Sequence, residues 1–216
     1  MKYTYCIWDF NGTIFDDIGA SIESVNVLLR ERGLPTLDSK EKYHEVFDFP
    51  IIDYYKKLGF DFDKEPYQII AHIWVDLYLE NSKRSGLFED VLPTLDFFES
   101  KGVKQSVLSA SEKNMLTGQL KELGIYGRFE EIMGIDNIYA ESKLALAKKW
   151  REEHPQDKVM FIGDTTHDYE SAQLLGADCY LISAGHQPEY KLRAVGDGAK
   201  IFSSLSELVE YLRANE

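Results

Sequence analysis

From residue 87 onward the chain alternates short apolar runs with segments of helical spacing, and this alternation constrains the fold more than any other feature. The apolar runs cover residues 105–108, 131–134, 159–162 and 179–182, with 200–202 as a last candidate strand. Between them, residues 91–100, 113–123, 143–153, 169–175 and 205–212 carry helical patterns. Alternation of this kind predicts βαβ units, which build a mostly parallel sheet covered by helices on both faces. The expected fold class is α/β, with a doubly wound, Rossmann-like core. An N-terminal run from Tyr3 to Trp8 supplies one more strand, ending on Asp9.

The segment between this first strand and the alternating region reads differently. Ile18, Ile22, Val25, Leu28 and Leu29 recur at helical spacing until Gly33-Leu34-Pro35 stops the helix. Further helices are expected over about 39–46, over 51–58, and from Pro66 through residue 78. Nothing between 17 and 85 has strong strand character. The core is therefore expected from residues 1–15 and 86–216, interrupted by an all-helical insertion at 16–85.

Strand ends carry the chemistry. In an open α/β sheet, ligands bind at the carboxyl ends of strands. Asp9 is expected at such an end, followed by Asn11-Gly12-Thr13, where a carboxylate can serve as a nucleophile. Asn-Gly between apolar runs is also a strong hairpin signal, and this segment alone leaves both readings open. Residues 159–163 form a second run, followed by Asp164 and Asp168, two acids four residues apart. On a helix these share a face and can converge on one cation. Ser109 ends another apolar run and offers a hydroxyl, and Lys143 follows Ser142 at an expected helix start. Ser109 alone reads as a turn residue, and Lys143 alone as a solvated lysine. The order of strand-end Asp, strand-end Ser, Lys and acidic pair is what argues for a site.

These residues resemble the haloacid dehalogenase-like hydrolase superfamily, in the branch that includes phosphoglycolate phosphatases. Asp9-Phe-Asn11-Gly12-Thr13 is similar to the first motif, Ser109 to the second, Lys143 to the third, and Gly163-Asp164-Thr-Thr-His-Asp168 to the fourth. The resemblance implies a helical cap at 16–85 and a Mg²⁺-dependent hydrolase of a small phosphomonoester, phosphoglycolate-like, working through an aspartyl-phosphate on Asp9. It implies Asp9, Asn11 and Lys143 at the catalytic positions. Gly12, Thr13, Ser109, Ala110 and Lys143 are implied around the substrate. The metal is implied on Asp9, the Asn11 main-chain carbonyl and Asp164, with Asp168 holding a metal-bound water, orienting Lys143 or sharing the metal with Asp164. Phe47-Asp48-Phe49-Pro50 falls where the family places a specificity loop, although both aromatic residues also read as cap core. His167 and His186 read as partly exposed and non-catalytic.

Asn11 departs from the family phosphatases, which carry a second Asp at this position to move protons. An amide cannot do so near neutral pH, and such transfer contributes roughly 10²–10⁴-fold. The alternative reading is a low-activity or inactive phosphometabolite-binding protein; a structural partner with an incidental pocket ranks lower still. The phosphonatase branch also lacks this Asp but uses a cap lysine, where this chain has Ile51, and the acids of the fourth motif disfavour dehalogenation.

Composition fits an intracellular enzyme: 44% apolar and 28% charged residues in 216. A net charge of −13 argues against nucleic acid or anionic membrane as partner, leaving a small phosphorylated metabolite. The expectation is cytoplasmic, since no leader-like segment is read at the start and Cys6 and Cys179 fall in apolar runs as reduced, buried thiols. Oligomeric state is left open.

Overall fold

The computed structural model describes residues 1–139 and 143–215. Six strands form one sheet in the order β5-β4-β1-β6-β7-β8: β1 (Tyr5–Trp8), β4 (Lys104–Glu112), β5 (Glu131–Ile135), β6 (Val159–Gly163), β7 (Asp178–Ile182) and β8 (Ala199–Phe202). All neighbours are parallel, with Ile7 opposite Ser106 on one side and Phe161 on the other. This register excludes the hairpin reading of Asn11-Gly12. Gly12 instead turns the chain within a loop at φ 75°, where its N–H donates to the Phe15 carbonyl at 2.9 Å.

Residues alternate across the sheet. Cys6, Trp8, Val107, Met160 and Ile162 face one layer, made by α5 (Val91–Ser100), α6 (Lys113–Glu122) and α10 (Leu205–Ala214). Tyr5, Ile7, Phe161, Cys179 and Leu181 face the other, made by α7 (Leu144–Glu153) and α8 (Thr166–Leu175), with α9 (Glu189–Leu192) beside it. Burial on both faces explains why the strands read as continuous apolar runs. The winding reverses beside β1, so the carboxyl ends of β4, β1 and β6 lie side by side at a topological switch point. Both cysteines are buried and unpaired.

Between β1 and α5 run the helices α1 (Ile18–Glu31), α2 (Lys40–Val46), α3 (Ile51–Lys57) and α4 (Tyr67–Asn81). Val25, Leu28, Leu29, Tyr43, Tyr54, Tyr55 and Ile70 give them an apolar cluster of their own. The chain enters and leaves this helical unit through a two-stranded antiparallel ribbon, β2 (Phe15–Asp16) and β3 (Gly86–Leu87). Two residues per strand carry no periodicity, so nothing in the sequence signals the ribbon. Among the described residues no helix is long and apolar enough to cross a membrane.

Three boundary differences bear on the strand ends that carry the site. α8 starts at Thr166 rather than 169, because Thr165 and Asp168 close a capping box over its first turn. β4 runs on through Ser109 to Glu112, with a register shift after Leu108, so Ser109 lies inside the strand rather than at its end. Lys143 caps α7 from outside the helix, and Ser142 lies outside the described residues.

Phe161 is fully buried in β6, and Phe161→Ala should cost about 3–5 kcal/mol in urea unfolding through lost transfer energy and the cavity left behind. Ile69, half exposed on α4, sets the contrast: Ile69→Ala should stay within about 0.5 kcal/mol of wild type.

Candidate active site

Lys143 stands at the centre of the switch point, with only 2% of its surface exposed. Its ammonium donates to Asp9 Oδ1, to Asp168 Oδ1 at 2.6 Å and to the Leu108 carbonyl at 3.1 Å. An ammonium has three protons, and all three are engaged. Asp9 sits one residue beyond β1 and Asp164 one residue beyond β6. The second oxygen of Asp168 accepts from the Asp164 N–H, the Thr165 N–H and the Thr165 hydroxyl at 3.0, 2.9 and 2.7 Å. With both oxygens committed, Asp168 is built to hold Lys143 and the α8 N-terminus.

Charge is unbalanced here. Carboxylate oxygens of Asp9, Asp164 and Asp168 lie within 4.8 Å of one another, all buried, beside the single ammonium. Burial and the Asp168 charge push the Asp9 carboxyl well above its usual range despite Lys143. Burial also pushes Asp164 up to about 7, against the pull of His186. Burial works to raise Asp168 too, but Lys143 overcomes it and holds this group low. Lys143 is held above its ordinary value by Asp168 and Asp9 against its own burial. With Asp168 committed to Lys143 and the α8 N-terminus, Asp9 and Asp164 are the hard oxygen donors left in the cluster, a pair that suits a divalent metal such as Mg²⁺. Asp164 is held in place on two sides, since Thr13 Oγ1 donates to it at 3.0 Å and the His186 N–H at 2.6 Å. A Cβ on Gly12 or Gly185 would overlap this carboxylate, so both positions need glycine for close approach.

Asn11 belongs to a second network. Its Nδ2 donates to Asp17 Oδ2 at 2.8 Å and to the Tyr78 hydroxyl at 2.7 Å, while its Oδ1 accepts from Ser111 Oγ at 2.7 Å. The Tyr78 hydroxyl donates to the same Asp17 oxygen at 2.8 Å, and the Gly12 N–H donates to Asp17 Oδ1 at 3.0 Å. His186 Nε2 meets Asp17 Oδ1 at 3.1 Å, and His186 Nδ1 meets the Tyr43 hydroxyl at 2.6 Å. Burial opposes ionisation of Asp17, but His186, Tyr78 and Asn11 keep its carboxyl below the usual range. Only the amide NH₂ can face that carboxylate, which fixes the orientation of Asn11.

Several expected roles change in this arrangement. Ser109 and Ala110 line the cavity beside Asp9, Asn11 and Lys143. Gly12 and Thr13, expected against the substrate, sit behind the site instead. The Gly12 N–H serves Phe15 and Asp17, and the Thr13 hydroxyl serves Asp164. His167 and His186 are buried at 7% and 6% exposure, not partly exposed. His167 stacks on Phe49 at 4.8 Å, and burial lowers its pKa to about 4. Phe47 and Phe49 pack in the cap cluster and also line the cavity. Asp17, Tyr43, Tyr78 and Ser111 escaped the sequence reading. Asp17 directly precedes α1, and the three hydroxyls come from segments distant in the chain.

A model of the haloacid dehalogenase-like hydrolases matches residues 6–182. A phosphoglycolate phosphatase of Pseudomonas putida is 21% identical over 189 residues, covering 83% of this chain and 69% of that protein. Among solved structures, a haloacid dehalogenase-like family hydrolase from Streptococcus pneumoniae superposes with a TM-score of 0.82 at 19% identity, covering 98% of this chain and 99% of the other. Protein Tyrosine Kinase A of Mycobacterium tuberculosis superposes with a TM-score of 0.81 at 21% identity, covering 98% of each chain. One fold under such different names means that activity has to be argued from the site.

The Asp17–His186 pair makes stability depend on pH. Burial opposes the His186 charge, but Asp17 and Asp164 raise its pKa from 6.5 to about 9. The folded state then binds more protons than the unfolded state between these values, so stability falls as pH rises. In metal-free buffer, urea unfolding should show a loss of up to about 3 kcal/mol from pH 6.5 to pH 9. His186→Gln should reduce that slope to the part left by Asp9 and Asp164, whose carboxyls are also raised; an equal slope in the variant would show that His186 does not contribute.

Proposed function

The chain belongs to the haloacid dehalogenase-like hydrolase family, and on that footing we propose that it hydrolyses a small phosphomonoester through Asp9. The observation that carries this reading is the buried convergence of Asp9, Asp164 and Lys143 on a cavity roofed by the helical insertion. Mg²⁺ would be held by Asp9, Asp164 and the Asn11 main-chain carbonyl, supplying charge neutralisation and Lewis-acid polarisation of the phosphoryl group when bound. Asp9 attacks phosphorus and becomes an aspartyl-phosphate, and water then regenerates the carboxylate. Lys143, fixed by Asp168 and Leu108, offsets charge on the nucleophile and the phosphoryl oxygens. The Ser109 hydroxyl and the Ala110 N–H are the donors proposed for those oxygens. Residues 16–85 act as the cap that closes the cavity and excludes water.

Steady-state phosphate release with and without Mg²⁺ tests this reading. Wild type should turn over small phosphomonoesters only with the metal, and Asp9→Asn should lose that activity while staying folded. Retained activity in Asp9→Asn would remove the nucleophile assignment. Tight substrate binding without turnover would favour the second reading, a phosphometabolite-binding protein, for which the Asn11 amide speaks because it carries no transferable proton.

Asn11 also sets a stability prediction. Replacing it with Asp does not preserve the site, because the new carboxylate faces Asp17 in place of a donor. Asn11→Asp should lose about 1.5–3 kcal/mol, the value of a hydrogen bond to a charged group. The exchange Asn11→Asp with Asp17→Asn restores donor and acceptor, and puts the acid at the catalytic position. It should recover part of that loss in urea unfolding, since Asp17→Asn also removes the carboxylate that pairs with His186, and raise turnover by about 10²-fold over wild type. Equal stability of Asn11→Asp and wild type would show that Asp17 does not hold Asn11.

A further inference from the structure

The cavity above Asp9 encloses about 150 Å³, the size at which an apolar protein cavity takes up benzene. Its upper wall comes from the helical insertion and from the loop after β5, and is apolar: Phe47, Phe49, Tyr54, Trp74, Val75 and Ile138 face it. Its floor carries Asp9, Asp164 and Lys143, with Asp17 and Glu112 at the sides. Among the described lining residues Lys143 is the only Lys or Arg, and its three protons are committed. The His186 ring lies between Asp17 and Tyr43. Both ring nitrogens of His186 are thus engaged, so a second anionic group on the substrate would lie beside carboxylates and aromatic rings with no uncommitted cation to meet it, at the desolvation cost of an unpaired charge. An uncharged ring would replace water against these walls and gain from their rings by edge or offset contact.

We infer that the cavity selects phosphomonoesters whose leaving group is an uncharged aromatic alcohol, and rejects small esters carrying a second carboxylate or phosphate. This inference rests on the phosphatase reading and narrows its substrate class, away from phosphoglycolate. In the reaction the bond between phosphorus and the leaving oxygen breaks, water supplies the hydroxyl to phosphate and a proton to the alcohol, and nothing is oxidised or reduced.

The test compares benzyl phosphate with 2-phosphoglycolate and with the 4-carboxy derivative of benzyl phosphate, using the full chain with Mg²⁺. All three leave as alkyl alcohols, so leaving-group chemistry does not dominate the comparison. kcat/KM for benzyl phosphate should exceed both others by at least tenfold. Val75→Arg, which places a cation in the wall away from the catalytic groups, should shrink or reverse that ratio. Equal or better turnover of the carboxylated esters by wild type would overturn the inference while leaving the phosphatase reading in place. If no ester is hydrolysed, the phosphatase reading fails, and calorimetry still decides the cavity. Benzylphosphonate should then bind at least tenfold more tightly than 3-phosphonopropionate, and equal or reversed affinities would overturn the inference.

Discussion

The burial of Lys143 between Asp9 and Asp168 is the constraint around which the rest of the site is organised. A buried ammonium is tolerated only when its protons are matched and its charge is paired. Here a carboxylate after β1, a carboxylate in the first turn of α8 and a carbonyl of β4 meet that demand together. Two strands and a helix must reach their final positions before the lysine is satisfied. The same contacts hold Asp9 in place, so the folding requirement and the proposed catalytic geometry are one arrangement. Asp168 links them further, because its second oxygen also completes the α8 capping box and orders the Asp164 backbone.

A second polar seam joins the core to the helical insertion. Asp17 accepts from Asn11 and Gly12 in the loop after β1 and from Tyr78 in α4, and it pairs with His186 in the loop after β7. Tyr43 of α2 extends the seam through His186. The segment that shapes the upper cavity is thereby tied to the loop that carries Asp9. Asn11 acts in this seam as a donor and acceptor, which gives its carboxamide a physical reason to be there apart from proton transfer. A carboxylate at this position would need a different neighbour at 17.

Much of the fold is visible in the sequence because a doubly wound sheet writes itself locally. Each strand is buried on both faces and becomes a short apolar run; each crossover helix carries its own periodicity. The strand-end positions of Asp9 and Asp164 follow from the same pattern. Short or irregular features do not. The β2–β3 ribbon is two residues wide, and the continuation of β4 through Ser109 depends on a register shift against β5. The early start of α8 is readable in principle from Thr165 and Asp168 at capping-box spacing.

What the sequence determined by itself was the layer architecture, the helical insertion and the residue types at the strand ends, since all three rest on local periodicity and on side chains adjacent to it. What only the tertiary structure decided was which partner each polar group has. Thr13 and Asp164 are 151 positions apart, as are Ser111 and Asn11 by 100, Tyr43 and His186 by 143, and Lys143 and Asp9 by 134. No spacing rule reaches across such separations, because the register of a sheet and the docking of a helical unit set these distances. Gly12 and Thr13 spend their hydrogen bonds on Phe15, Asp17 and Asp164 for that reason, and His167 and His186 are buried rather than partly exposed. A hydrogen bond is short-ranged and directional, so the role of a buried polar side chain is fixed by the few ångströms around it once the chain has packed.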